Sequence, residues 1–173
     1  TSINNSFIND KNLNLLLYLT TILKVKNLQK VLDFGSGDGD FGYALKKIFK
    51  SLKLFSIENS KECIPILKKR NYKIYKNLGR VFEKFDLIVS LSTLDHLNNL
   101  KIFNSFYKLL NKDGYLFFEV MNCENRYWKG RPYDSERLLF FTEESIRNMC
   151  KILNFEIVDL SFSSYPIGHN HKY

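Results

Sequence analysis

The stretch that most constrains this chain is Val31-Leu32-Asp33-Phe34-Gly35-Ser36-Gly37-Asp38-Gly39-Asp40-Phe41-Gly42, an apolar run that passes straight into a glycine-rich turn. Glycine at alternate positions lets the backbone bend tightly and approach a ligand with no Cβ in the way. The segment that follows carries Phe41, Ala44, Leu45, Ile48 and Phe49 at helical spacing, so it reads as an amphipathic helix with unpaired N–H groups at its start. A strand, a glycine turn and a helix in that order predict a nucleotide-handling site at the turn.

Two cofactor classes use such turns. The spacing Gly37-x-Gly39-x-x-Gly42, with Glu58 downstream where a carboxylate meets ribose hydroxyls, also satisfies a dinucleotide fingerprint. Spacing leaves both open. Charge favours one of them, because Asp33, Asp38 and Asp40 crowd a pyrophosphate with like charge and attract a ligand that carries an ammonium and a sulfonium. The expected cofactor is therefore S-adenosylmethionine rather than NAD.

Along the chain, helix and strand alternate. A helix is expected from Leu13 to Lys26 and strands at Lys30–Phe34, Lys53–Glu58, Tyr72–Tyr75, Asp86–Ser90 and Tyr115–Val120. The run Leu87-Ile88-Val89 is apolar on both faces, as buried parallel strands are. Further helices are expected from Asn99 to Leu110 and from Thr142 onward, with Phe155–Phe162 as a closing strand. This alternation predicts an α/β fold, a Rossmann-like doubly wound, mostly parallel sheet flanked by helices. The 173 residues, 45% apolar, suffice for one domain spanning 1–173. An N-terminal helical segment, 1–27, precedes the glycine turn, and segment 121–141 breaks the rhythm as an insertion over the cofactor edge.

Composition narrows the partners. The net charge of +8 is spread over the chain without a compact basic block, which argues against a nucleic-acid partner. Lys68-Lys69-Arg70 falls at a helix end, where cations suit the dipole. Cys63, Cys123 and Cys150 are odd in number and in no C-x-x-C arrangement, so they read as reduced thiols in a cytoplasmic protein, with no metal site expected. Leu13 to Val25 is interrupted by polar residues and falls short of the roughly 20 apolar residues of a membrane span.

With these pieces in order, the chain resembles class I S-adenosylmethionine-dependent methyltransferases over nearly its whole length. Val31 to Gly39 is similar to the family's first motif, Glu58 to the acid that ends its second strand, and Phe85-Asp86-Leu87-Ile88-Val89-Ser90 to its fourth-strand motif. Leu94-Asp95-His96-Leu97 resembles the E-H-L signature of small-molecule methyltransferases, and Leu109 to Leu116 the turn into strand five. Leu138-Leu139-Phe140-Phe141-Thr142, followed by Leu153-Asn154-Phe155, resembles the branch that includes quinone-ring and sugar O-methyltransferases. The family sheet usually ends with an antiparallel strand for which little sequence remains after Phe162, so that strand is expected to be missing or replaced by Tyr165 to Tyr173.

The resemblance implies cofactor contacts at Asp33, Gly35, Ser36, Gly37, Gly39, Glu58, Asn77 and Ser90, with Asn77 standing where the family often has an acid beside adenine. It implies a small-molecule acceptor, methylated at a hydroxyl, with His96 as the candidate base, against the equally open reading of a histidine capping the helix that follows. Tyr127, Trp128, Arg131, Tyr133 and Arg137 are candidates for a pocket wall with an anion clamp, against the plainer reading of packing over the sheet edge. Other readings stay open: a structured-RNA methyltransferase, a non-catalytic module that keeps the fold, and a dinucleotide oxidoreductase. Oligomeric state is not legible.

Overall fold

The computed structural model describes residues 10–22, 28–124 and 137–162. Its elements run α1 (Asp10–Ile22), β1 (Lys30–Phe34), α2 (Asp40–Ile48), β2 (Lys53–Ile57), α3 (Cys63–Lys69), β3 (Tyr72–Tyr75), β4 (Phe85–Leu91), α4 (Ile102–Leu109), β5 (Leu110–Glu119) and α5 (Glu143–Ile152). The five strands form one sheet in the order β3-β2-β1-β4-β5. Every neighbouring pair is parallel, with Leu32 opposite Phe55 on one side and Ile88 on the other. The expected doubly wound α/β architecture is the one observed.

Alternation along the strands builds two cores. Val31, Leu54, Leu87 and Val89 face α1 and α2 together with Leu16, Leu19, Phe41 and Leu45. Leu32, Phe55, Ile57 and Ile88 face the other layer with Phe103, Phe106 and Met149. Because side chains alternate at a period of two, Asp33 follows Val31 onto the α1–α2 face rather than into the aromatic core. That single-residue register puts a carboxyl where helices and the glycine turn converge.

Several boundaries differ from expectation, each for a visible reason. Leu110 already pairs with Phe85, and Tyr115 pairs with Leu87, so Lys112-Asp113-Gly114 is an irregularity inside β5 rather than a turn ahead of it. Asp113 takes φ +62 there, and Asn111 donates to Asp86 at 2.6 Å. Asp86 also accepts the Gln29 and Lys30 N–H groups, both at 2.9 Å, which anchors the start of β1 to the same point.

The expected closing strand at Phe155–Phe162 is not formed. Phe155 and Ile157 do alternate onto the second core, but the Phe155 N–H returns to the Cys150 carbonyl at 2.8 Å, closing the end of α5 instead of joining a ladder. Tyr165 to Tyr173 lie outside the described residues, as do 23–27 of the N-terminal segment. Among the described residues no helix is long and apolar enough to cross a membrane, and no group of His, Cys, Asp and Glu is arranged to hold a metal ion.

Candidate functional site

The strand order reverses between β1 and β4, and in open parallel sheets the carboxyl edge at such a reversal is where ligands bind. The glycine turn after β1 sits there. Gly35, Gly37 and Gly39 all have positive φ, between +54 and +76. Their surroundings differ in a way that orients the turn. A Cβ on Gly37 would meet nothing within 4 Å, whereas one on Gly39 would stand 2.6 Å from Leu67 Cδ2 and 2.7 Å from Tyr72 Cε2. Gly37 faces open space and Gly39 faces the protein.

A cleft of about 300 Å³ opens beside Gly37. Among the predicted residues it brings together Asp33, Gly35, Ser36 and Gly37. Asp38, Asp40 and Phe41 continue the wall, and Asn12 of α1 and Leu91-Ser92 beyond β4 complete it. Asp33 is only 3% exposed. Burial, and secondarily the charge of Glu58, push its carboxyl up to about 7, opposed by hydrogen bonds from the Gly42 N–H and the Tyr72 hydroxyl. A buried acid close to the balance between its two forms is well suited to a cationic ligand, which stabilises the carboxylate.

Glu58, just past β2, is bound to backbone. Its Oε2 accepts the Gly37 N–H at 2.8 Å, and its Oε1 accepts those of Asn59 and Ser60, each at 2.8 Å. A carboxylate has about four acceptor positions, so one remains on Oε2. Glu58 thus ties the end of β2 to the glycine turn and does not line the cleft itself. Gly39, Asn77 and Ser90 are also outside the cleft wall. Asn77 is exposed on the loop after β3, and Ser90 is fully buried with its Oγ donating to the Phe34 carbonyl at 3.2 Å.

His96 ends the short helical turn Leu94–His96 beyond β4. Its side chain is 39% exposed, with Nε2 3.8 Å from Asp95 Oδ1. Asp95 itself is buried, and its Oδ2 accepts from Arg137 Nε at 2.9 Å. The Asp95 carbonyl accepts the N–H groups of Leu138 and Leu139 at 2.8 and 3.0 Å. Arg137, considered above as an anion clamp, therefore has its Nε committed to Asp95. The far end of the 121–141 segment is pinned as well, by a parallel bridge between Asn122 and Phe141 and by the Cys123 N–H on the Phe141 carbonyl at 2.9 Å. Tyr127, Trp128, Arg131 and Tyr133 lie outside the described residues.

Reading the sequence missed Asn12, Asp95 and Tyr72 as site residues. Asp95 stood inside a quoted motif, so its type was visible; its partner 42 positions away was not. Nothing local marked Asn12, which follows Asp10 and Lys11 in a polar stretch just ahead of the helix expected from Leu13.

Comparison with known proteins follows the same lines. A family model described as "Methyltransferase domain" matches residues 6–160. No curated protein matches the sequence. Among solved structures, the plantazolicin methyltransferase BpumL, in complex with a pentazolic desmethylPZN analog and SAH, aligns at a TM-score of 0.64 and 15% identity over 86% of this chain and 63% of that one. The O-methyltransferase from the trans-AT PKS multienzyme of Brevibacillus brevis, in complex with S-adenosyl-L-homocysteine, aligns at 0.64 and 19% identity over 82% and 50%. A protein from Pyrococcus horikoshii OT3 aligns at 0.64 and 17% identity over 88% and 84%. The chain thus spans less than two thirds of the first two structures. At these identities the likeness is one of fold.

Proposed function

This chain belongs to the methyltransferase-domain family, and from that premise we propose that it transfers a methyl group from S-adenosylmethionine to a hydroxyl of a small metabolite or sugar. The observation that carries this reading is the Asp33 carboxyl, buried yet lining the cleft at the glycine turn. Its fit to the cofactor rests on charge and shape. A carboxyl held beside a cavity, with Asp38 and Asp40 on the same wall, suits an ammonium and a sulfonium and repels a pyrophosphate.

When bound, S-adenosylmethionine supplies an electrophilic methyl group on a sulfonium that leaves as a neutral thioether. The chain's own residues then bind, orient and move one proton. Asp33 would hold the ammonium, and the unengaged acceptor position of Glu58 would be open to a ribose hydroxyl. The glycine turn lets the ligand approach the backbone at Gly37. His96, partly exposed beyond β4, would be the base that accepts the acceptor's hydroxyl proton. Asn77 is the remaining candidate contact of the cofactor's adenine, Ser90 being buried behind the turn against the Phe34 carbonyl, and segment 121–141, anchored at both ends, is the candidate cover on the acceptor side.

Isothermal titration with S-adenosylhomocysteine, with NAD as control, tests the cofactor. Saturable binding that falls at least tenfold in Asp33→Ala, about 1.4 kcal/mol, is expected. Binding of NAD in its place would overturn the reading. Once a hydroxylated acceptor is found by screening, His96→Gln should lower kcat by about 100-fold while leaving cofactor affinity intact. An equal kcat would remove His96 as the base.

A further inference from the structure

We propose that Arg70 is a positioning residue for the cofactor, holding the Asp38 carbonyl from behind the glycine turn and so fixing the peptide plane through which that turn closes. The inference rests on the cofactor reading above. Arg70 ends the run Lys68-Lys69-Arg70, three cations at the end of a helix. The fold separates it from the other two. Lys68 and Lys69 are exposed, whereas the Arg70 side chain is only 15% exposed and lies against the turn.

Arg70 closes α3, and Asn71 after it takes φ +60, the left-handed conformation that asparagine tolerates at a helix end and that lets α3 pass directly into β3. Arg70 Nη1 donates to the Asp38 carbonyl at 2.6 Å and pairs with Asp40 Oδ1, also at 2.6 Å. Its guanidinium stands 5.2 Å from the centre of the Tyr43 ring in the first turn of α2. On the other side of Asn71, the Tyr72 hydroxyl donates to the next carbonyl, that of Gly39, at 2.8 Å. It does so through the space left by Gly42, where a Cβ would stand 2.1 Å from that hydroxyl. Two successive carbonyls of the turn are therefore held from one corner, and neither Arg70 nor Tyr72 is among the residues that line the cleft.

In a trans peptide the C=O and the N–H point in opposite directions, so a carbonyl pinned toward the corner turns the N–H of its own plane away from it. For the plane that joins Asp38 to Gly39, that N–H is the one that closes the turn on the Ser36 carbonyl at 2.9 Å, and Ser36 stands on the cleft wall beside Gly37. The next plane is less dependent on the corner, because the Gly39 carbonyl also accepts the Tyr43 N–H at 3.0 Å. Among the described residues the Asp38 carbonyl takes its hydrogen bond from Arg70. The ion pair adds little, since the Asp40 side chain is exposed, whereas a charge-assisted bond to the carbonyl is among the stronger kinds. A turn already held in its binding shape loses less freedom when the ligand arrives, which is how a residue outside the cleft raises affinity within it.

The test is Arg70→Met in the full chain, which keeps an unbranched stem against Tyr43 and removes every donor. At a temperature where circular dichroism shows the variant fully folded, S-adenosylhomocysteine should bind about tenfold more weakly, the size of one charge-assisted hydrogen bond. Without ligand, amide exchange at Gly39 should be faster while Val31 and Leu32 in β1 stay as protected as in the unmodified chain. A merely structural role predicts the reverse pattern, with unchanged affinity in the folded variant and exchange that rises in β1 and the turn together. Arg70→Lys keeps the charge but not the planar fork, so it should bind about threefold more weakly than the unmodified chain, with Gly39 exchange between the two. Should Arg70→Met not fold, Arg70→Lys decides by the same two readouts. Unchanged affinity in a folded variant, or Gly39 exchange that moves only with β1, overturns the inference. Failure of the unmodified chain to bind S-adenosylhomocysteine would refute the cofactor reading instead, whereas amide exchange judges the hold on the turn without any ligand.

Discussion

Two turns leave the carboxyl edge of the same parallel sheet, and they are held in opposite ways. The turn after β1 is secured through the N–H groups of its glycines: Gly39 closes on the Ser36 carbonyl at 2.9 Å within the turn, while Gly35 reaches the Ile57 carbonyl at 2.9 Å and Gly37 the Glu58 carboxylate at the end of β2. The turn after β4 is secured from a distance, with Asp95 bound to Arg137 and its carbonyl capped by Leu138 and Leu139. The first adds to its ties with β2 a demand on local conformation, positive φ at Gly35, Gly37 and Gly39, that residue type meets. The second is a meeting of separate segments, which requires the tertiary fold.

If the β1 turn is rigid because of what stands behind it, substitutions within it should be sharply unequal. Gly39→Ala combines a left-handed φ with contacts under 3 Å and should lose about 2–4 kcal/mol in urea denaturation or prevent folding. Gly37→Ala meets no neighbour and should lose only about 1 kcal/mol, from backbone strain. Equal losses would break the picture of a turn with one open side and one packed side.

A second contrast lies in acidity. The Asp33 carboxyl is raised from 3.8 to about 7 in the folded chain, so the folded state binds the proton more tightly than the unfolded state between those values. Its contribution is a stability that falls as pH rises through that window and then levels above about 7. Between pH 5 and 7 the loss should be about 2 kcal/mol, and Asp33→Asn should remove that slope. Ligand binding should follow the opposite sign, strengthening as pH rises toward 7 and releasing a proton measurable by titration in buffers of different ionisation enthalpy. An Asp33→Asn chain with the same pH slope would assign it to another group.

The β4 turn should respond more mildly. Asp95→Ala leaves the backbone carbonyl and its two N–H donors in place and removes the pair with a partly buried guanidinium and the 3.8 Å approach to His96, a loss of about 1 kcal/mol by thermal unfolding. Its larger signature should be amide exchange at Leu138 and Leu139, faster than in the unmodified chain. No change at those amides would mean that the carbonyl alone holds the segment.

Much of the fold was legible because its signals are local. β1 and β3 have the expected limits, since apolar runs bounded by turn residues specify a buried strand whatever lies beside it. The switch-point turn was legible for the same reason. Elements whose state depends on a neighbour were read less well. Lys112-Asp113-Gly114 has turn composition but is absorbed into β5 because Leu110 already pairs with Phe85. Phe155 and Ile157 have strand alternation but settle against the second core with no ladder. The site divides likewise. Asp33, Gly35, Ser36 and Gly37 were found together because they are contiguous, whereas Asn12 enters from α1, and Tyr72 enters from β3 through the space left by Gly42.

By itself, the sequence determined the alternation of helix and strand, the sharp glycine turn at the end of β1 and the acid one step before it, because backbone propensity and side-chain periodicity act over a few residues. Only the tertiary structure decided what that acid is. Its burial on the α1–α2 face, the charge of Glu58 nearby and the hydroxyl of Tyr72 beside it come from segments up to 39 positions away in sequence, and electrostatics depends on distance through space rather than along the chain.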